Sequence, residues 1–131
     1  MAINYSVDPE RALVRTTCLG YITLDEVMKH LQTLEEDPRR AGRFDVLIDL
    51  RSSTSTPTTG QLRKAAGRIH PAESPLQYGA LAIVANEIVQ VGVGKLFAAL
   101  ARERFSATTV VETIAEAEAW LARTEGLKDQ G

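Results

Sequence analysis

The residues best placed to do chemistry crowd into one stretch, LIDLRSSTSTPTTGQLRKAA, residues 47–66, and its approach. Asp45 and Asp49 fall on one side of an alternating strand, and paired carboxylates can share a proton and serve as acid and base. No base, nucleophile or electrophile accompanies them, so a solvated Asp45 is expected, with Asp49 paired to a backbone N–H or an arginine. An unbroken hydroxyl run, Ser52 to Thr56, follows Arg51, and then comes Pro57-Thr58-Thr59-Gly60. Ser and Thr favour caps and turns, so Thr58 is a natural cap for a helix beginning here, and Gly60 admits a tight turn. The first turn of that helix would expose free N–H groups and the positive end of its dipole, which suits an anion.

Other constellations carry less. GVGK, residues 92–95, hints at a phosphate loop, but Val89 stands where that motif needs glycine and Leu96 where it needs Ser or Thr. Gly92 and Gly94 are better suited to close approach of a helix to a sheet or another helix. His30 and His70 have no Cys or carboxylate at metal-ligand spacing, so no metal site and no cofactor are expected. The single cysteine, Cys18, reads as a small buried hydrophobe in a strand. Arg39, Arg40 and Arg43 are offset by Glu35, Glu36 and Asp37, a solvated corner.

The elements that position these residues alternate regularly. INYSV (3–7) and ALVRTTCLG (12–20), separated by Asp8-Pro9, predict an antiparallel hairpin. Thr23 and Glu26 form a capping box, and Leu24, Val27, Met28, Leu31 and Leu34 make a helical stripe ending before Pro38. FDVLIDL (44–50) and YGALAIVA (78–85) are apolar enough for strands covered on both faces. Leu62, Ala65, Ala66 and Ile69 mark the helix between them, followed by a loop at 70–75. Asn86 is expected to cap a third helix with Val89, Val93, Leu96, Phe97 and Leu100 inward; Val91, Ala98 and Ala101 would lie on its opposite side. That second surface, with Gly94, is a candidate interface for a second copy or another protein. ATTVVE (107–112) is a fifth strand, and Thr113 with Glu116 caps a last helix with Ile114, Ala117 and Leu121 inward and Trp120 at the core edge. The order β-β-α-β-α-β-α-β-α implies a single α/β domain over residues 1–124, with a mostly parallel sheet of five strands, and a frayed tail over 125–131.

Composition narrows the function. The chain has 131 residues, 44% of them apolar and 24% charged, as expected for an ordinary globular domain. Its net charge of −2 offers no basic footprint for nucleic acid. The N-terminus lacks the basic and apolar regions of a signal peptide, and no apolar run is long enough for a membrane span, so a cytoplasmic location is expected.

On these residues the chain resembles the SpoIIAA-like, STAS/SEC14-type group of small bacterial proteins. The likeness lies in GYITLDEVMKHLQTLEEDP, FDVLIDLR, ALAIVANEIVQVGVGKLFAAL and EAEAWL. Asp49-Leu50 precedes Thr58-Thr59-Gly60 at the offset where anti-sigma-factor antagonists carry Asp-Leu before Ser-Ser-Gly, and Thr59 matches their modified serine. The resemblance implies a regulatory or ligand-binding module without chemistry of its own. Two departures stand out: Pro57 replaces the family's acidic residue, and Ser53 and Ser55 replace the apolar residues that anchor its loop. A looser, wetter loop is therefore expected across Asp49, Arg51, Ser52, Ser53, Thr54 and Ser55. The leading expectation is a non-enzymatic protein-interaction module switched by phosphorylation or anion binding at the loop–helix junction 57–60, where a phosphoryl group on Thr58 or Thr59 would add roughly −1.5 to −2 charge, enough to create or block a partner contact. The alternative is a small-molecule or lipid carrier in which the apolar faces of the first and third helices part over a cavity.

Overall fold

Strand order follows chain order, and that one fact arranges the molecule. The computed structural model describes residues 2–37, 39, 42–69 and 77–129; the loop expected at 70–75 with His70, Arg40 and the Pro38 helix stop lie outside them. β1 (Ala2–Asp8) and β2 (Leu13–Leu19) form the antiparallel hairpin, with Ile3 opposite Cys18 and Val7 opposite Val14. β3 (Arg43–Asp49), β4 (Gln77–Val84) and β5 (Ala107–Val111) then add in parallel, giving the sheet order β1-β2-β3-β4-β5. Right-handed crossovers that always step the same way leave their helices on one face. Accordingly α1 (Leu24–Glu36), α2 (Thr59–Arg68) and α3 (Ile88–Ala101) share a core with Val14, Val46, Leu81 and Ile83. After β5, α4 (Ile114–Asp129) returns over the opposite face, where Ala117 and Leu121 meet Leu13, Leu47, Ala80, Ala82 and Val84. Trp120 borders that second core. The helical backbone of α4 continues past residue 124.

Local chemistry sets the boundaries. Thr23 accepts from the Glu26 N–H while the Glu26 carboxylate accepts from the Thr23 N–H, so α1 starts on a complete capping box. Thr113 accepts from the Glu116 N–H at the head of α4. Gly20 ends β2 with φ +71°, a left-handed conformation that a residue with a Cβ rarely adopts, and so turns the chain toward α1. Arg15 and Arg11 both reach Glu118 of α4, at 3.0 and 2.9 Å, tying the hairpin to the far helix layer.

The third helix departs from expectation. Its N-cap is Glu87, with no side-chain cap bond, rather than Asn86. Its buried residues are Gln90, Gly94, Ala98 and Ala101, whereas Val89 is 55% exposed, Leu96 stands at the surface and Val93, Phe97 and Leu100 are half-buried. Gly94, Ala98 and Ala101 are therefore packing residues of this chain's own core, and only the half-buried Val91 of the expected interface retains exposure. Close approach decides it. A Cβ at Gly94 would stand 3.0 Å from Ile83 Cγ2 and 3.6 Å from Val110 Cγ1, so the small-residue stripe lets the helix settle on β-branched side chains of β4 and β5. A larger stripe would hold the helix off the sheet.

Candidate functional site

Three segments meet at the carboxyl ends of the parallel strands, the rim where ligands gather in open α/β sheets. The first, residues 20–23, leads into α1; the second is the hydroxyl loop, residues 50–58; the third is the start of α3. The hydroxyl loop is tightly held. Ser53 pairs as a bridge with Gly20, the Gly20 N–H donates to the Ser52 carbonyl, and the Thr54 N–H donates to the Gly20 carbonyl, both at 2.9 Å. Ser53 and Ser55 are only 8% and 9% exposed, while Ser52, Thr54 and Thr56 face solvent. The Ser55 hydroxyl accepts from the Ile22 N–H and donates to the Ile22 carbonyl, and Ser53 Oγ accepts from the Ser55 N–H. Buried Gln90 donates to the Ser55 carbonyl at 3.3 Å. The loop is thus anchored, contrary to the looseness its serines suggested. Hydrogen bonds to the neighbouring backbone replace apolar contact, and alternate side chains point inward as along a strand.

The carboxylates separate into different roles. Asp45 is buried rather than solvated, and accepts from the Ala80 N–H at 2.8 Å, spanning the irregularity in β3–β4 pairing. Asp49 receives two guanidinium bonds from Arg51, both at 2.9 Å, and its N–H at 3.0 Å. These bonds hold its carboxyl below the ordinary range. Thr58 is the N-cap of α2 in a second capping box, its Oγ accepting from the Gln61 N–H while Gln61 accepts from the Thr58 N–H. Thr58, Thr59 and Gly60 are all exposed, and α2 begins at Thr59.

Beneath the rim lies a cavity of about 280 Å³, between the sheet and α1, α2 and α3. Leu24, Val27 and Leu31 of α1 and Val93 and Phe97 of α3 line it, together with Val46 and Ile48 of β3. This explains why Leu24, Val27 and Leu31 remain half-buried although they form a continuous apolar stripe. Tyr21, 56% exposed, lines it together with the exposed Thr23 and Gln61, so the cavity reaches solvent at the rim. Cys18 and His30 also line it. Burial pushes the Cys18 thiol up to about 11 and pulls His30 below its ordinary value, so neutral forms are favoured at both. The His30 ring meets Tyr5 edge-on at 5.4 Å. Thr16 of β2 completes the wall, and among the described residues its Oγ1 is a buried side-chain polar atom without a hydrogen-bond partner.

Sequence reasoning located the hydroxyl loop but missed Thr16, Gln90 and the cavity role of Cys18. Gln90 did leave a signal, since it continues the Gly94-Ala98-Ala101 stripe one turn earlier. Thr16 left none beyond strand alternation with Val14 and Cys18. Among the described residues, no group of three or more His, Cys, Asp or Glu is placed to hold a metal ion, and no helix is long and apolar enough to cross a membrane.

The comparisons with known proteins agree with this architecture. One solved structure, an uncharacterised protein of the DUF3478 family with a SpoIIAA-like fold from Shewanella loihica PV-4, superposes with TM-score 0.59. The match covers 92% of each chain at 14% identity. The fold is SpoIIAA-like. No protein-family model and no curated protein matches the chain.

Proposed function

We propose that this SpoIIAA-like chain is a non-enzymatic binding module that takes a small, largely apolar molecule between its sheet and helices α1–α3. The observation carrying the reading is the cavity of about 280 Å³, whose wall is mainly aliphatic and aromatic and which meets solvent at the rim. It lies just below the roughly 300–1,000 Å³ of common ligand pockets. Native mass spectrometry of purified protein should reveal a bound small molecule, and Leu31→Trp, which fills the cavity, should remove it. A wild-type protein without an adduct, or an adduct that survives the tryptophan, would count against the reading.

A second reading, regulation through protein contacts, is favoured by the exposure of Thr59 and Gly60 on the first turn of α2. A phosphoryl group there would meet the positive end of the helix without disturbing the packed core. Thr59→Asp should change self-association measured by sedimentation, with Thr59→Ala as the neutral control. Identical sedimentation of all three proteins would remove self-association from this reading.

A further inference from the structure

The ligand's chemistry follows from what the cavity wall lacks and from what it leaves unused. Among the described lining residues there is no Lys, Arg, Asp or Glu. An ionised carboxylate or phosphate brought inside would lose its hydration and meet no counter-charge. An uncharged guest avoids that cost. A purely aliphatic guest, however, would leave one wall group unserved.

Most polar lining side chains are already engaged. Ser55 bonds both backbone groups of Ile22, Ser53 accepts from Ser55, and Gln90 donates to the Ser55 carbonyl. Thr23 and Gln61 are committed to their capping boxes. Thr16 differs: it is 4% exposed, lines the cavity, and its Oγ1 has no partner. A buried hydroxyl in that condition is rare in native proteins and calls for an explanation. It sits opposite Ile48 in the sheet, four residues below Gly20, or about 13 Å of strand from the rim.

We infer that the cavity takes an uncharged amphiphile, an aliphatic chain carrying a hydroxyl or carbonyl, whose polar atom pairs with the Thr16 hydroxyl once a χ1 rotation turns that enclosed oxygen toward the cavity, while the chain lies against Ile48, Leu31 and Phe97. At roughly 30 Å³ per liquid water, the space equals about nine waters, the size of a guest with about ten non-hydrogen atoms. This assignment rests on the binding-module reading above and adds the guest's charge and its hydrogen-bonding point.

The probes are 1-octanol and octanoate, titrated by calorimetry at pH 7 into wild type and Thr16→Val, with a thermal melt of each sample to establish folding. Wild type should bind 1-octanol at least ten-fold more tightly than octanoate. Thr16→Val should weaken 1-octanol about five-fold, the worth of one net hydrogen bond of about 1 kcal/mol. Octanoate binding as tightly as the alcohol, or an alcohol affinity unmoved by Thr16→Val, overturns this assignment and leaves the binding module standing. Binding of neither probe, with no co-purifying molecule, overturns both.

Discussion

Replacing Thr16 by valine should make the ligand-free protein more stable, an unusual outcome for a buried position. Threonine and valine share a branched Cβ, and both suit strands, so the change is confined to exchanging a hydroxyl for a methyl. In this structure the hydroxyl is enclosed without a partner. An unpaired buried hydroxyl costs about 1–3 kcal/mol in protein mutational series. The methyl is slightly larger and takes the enclosed place of the hydroxyl, a strain that offsets part of this gain. A net gain of about 1–2 kcal/mol is therefore expected. With an unfolding entropy of about 2.1 cal/mol/K per residue, a chain of 131 residues shifts its Tm by about 4 °C per kcal/mol. Scanning calorimetry should thus record a rise of about 4–8 °C. Urea unfolding should move to a higher midpoint at unchanged slope. Thr16→Ser keeps the hydroxyl and loses the methyl, so the order of stability should be valine, threonine, serine. A valine variant no more stable than wild type would show that the hydroxyl is partnered in solution, and the reasoning that reserves it for a guest would fail.

Three further outcomes test the rest of the molecule. His30 is held below its ordinary pKa by burial, so as pH falls through about 6.5 the unfolded chain takes up a proton that the folded ring resists, and stability drops. His30→Phe, which keeps an aromatic edge for Tyr5, should shrink the difference in urea midpoint between pH 7 and 5.5; an undiminished difference would refute the burial argument. Thr58→Ala should lower stability by about 1 kcal/mol, while Thr58→Asp, able to accept from the Gln61 N–H beside the helix dipole, should melt near wild type. Equal melting of the alanine variant and wild type would strip the capping box of its role. Gly92→Ala has open space and gains up to about 1 kcal/mol of helix propensity, whereas Gly94→Val drives a branched side chain into Ile83 and Val110 and should cost about 1–3 kcal/mol. Shifts of the same sign in both melts would contradict the assigned face of α3.

The resemblance to SpoIIAA-like proteins and the superposition on a solved neighbour meet at the level of fold. They diverge in usefulness at the rim. The family comparison draws attention to Thr58–Gly60, which is exposed and helical at its start. The cavity below, by contrast, is defined by half-buried side chains from α1 and α3 and by strand positions that carry no motif. Asp45 is a similar case. Its place in an alternating strand suggested a wet mouth, but the irregular β3–β4 register leaves the Ala80 N–H for its carboxylate to satisfy.

What the sequence by itself determined is whatever depends on short-range chemistry: the strands with period-two or continuous apolar runs, the helix starts at Thr23, Thr58 and Thr113, and the end of the second strand at Gly20. These follow from hydrogen bonds and backbone freedom within a few residues, so their signals lie in adjacent letters. Tertiary structure alone decided which face of α3 meets the sheet, because a large apolar stripe and a small one compete and close approach to Ile83 and Val110 favours the small one. It alone decided that Ser53 and Ser55 anchor a loop, since their partners stand some thirty residues away or depend on the bend that brings them inward. And it alone left Thr16 unpaired beside an apolar cavity, because a space between four elements is a property of their separation and not of any one of them.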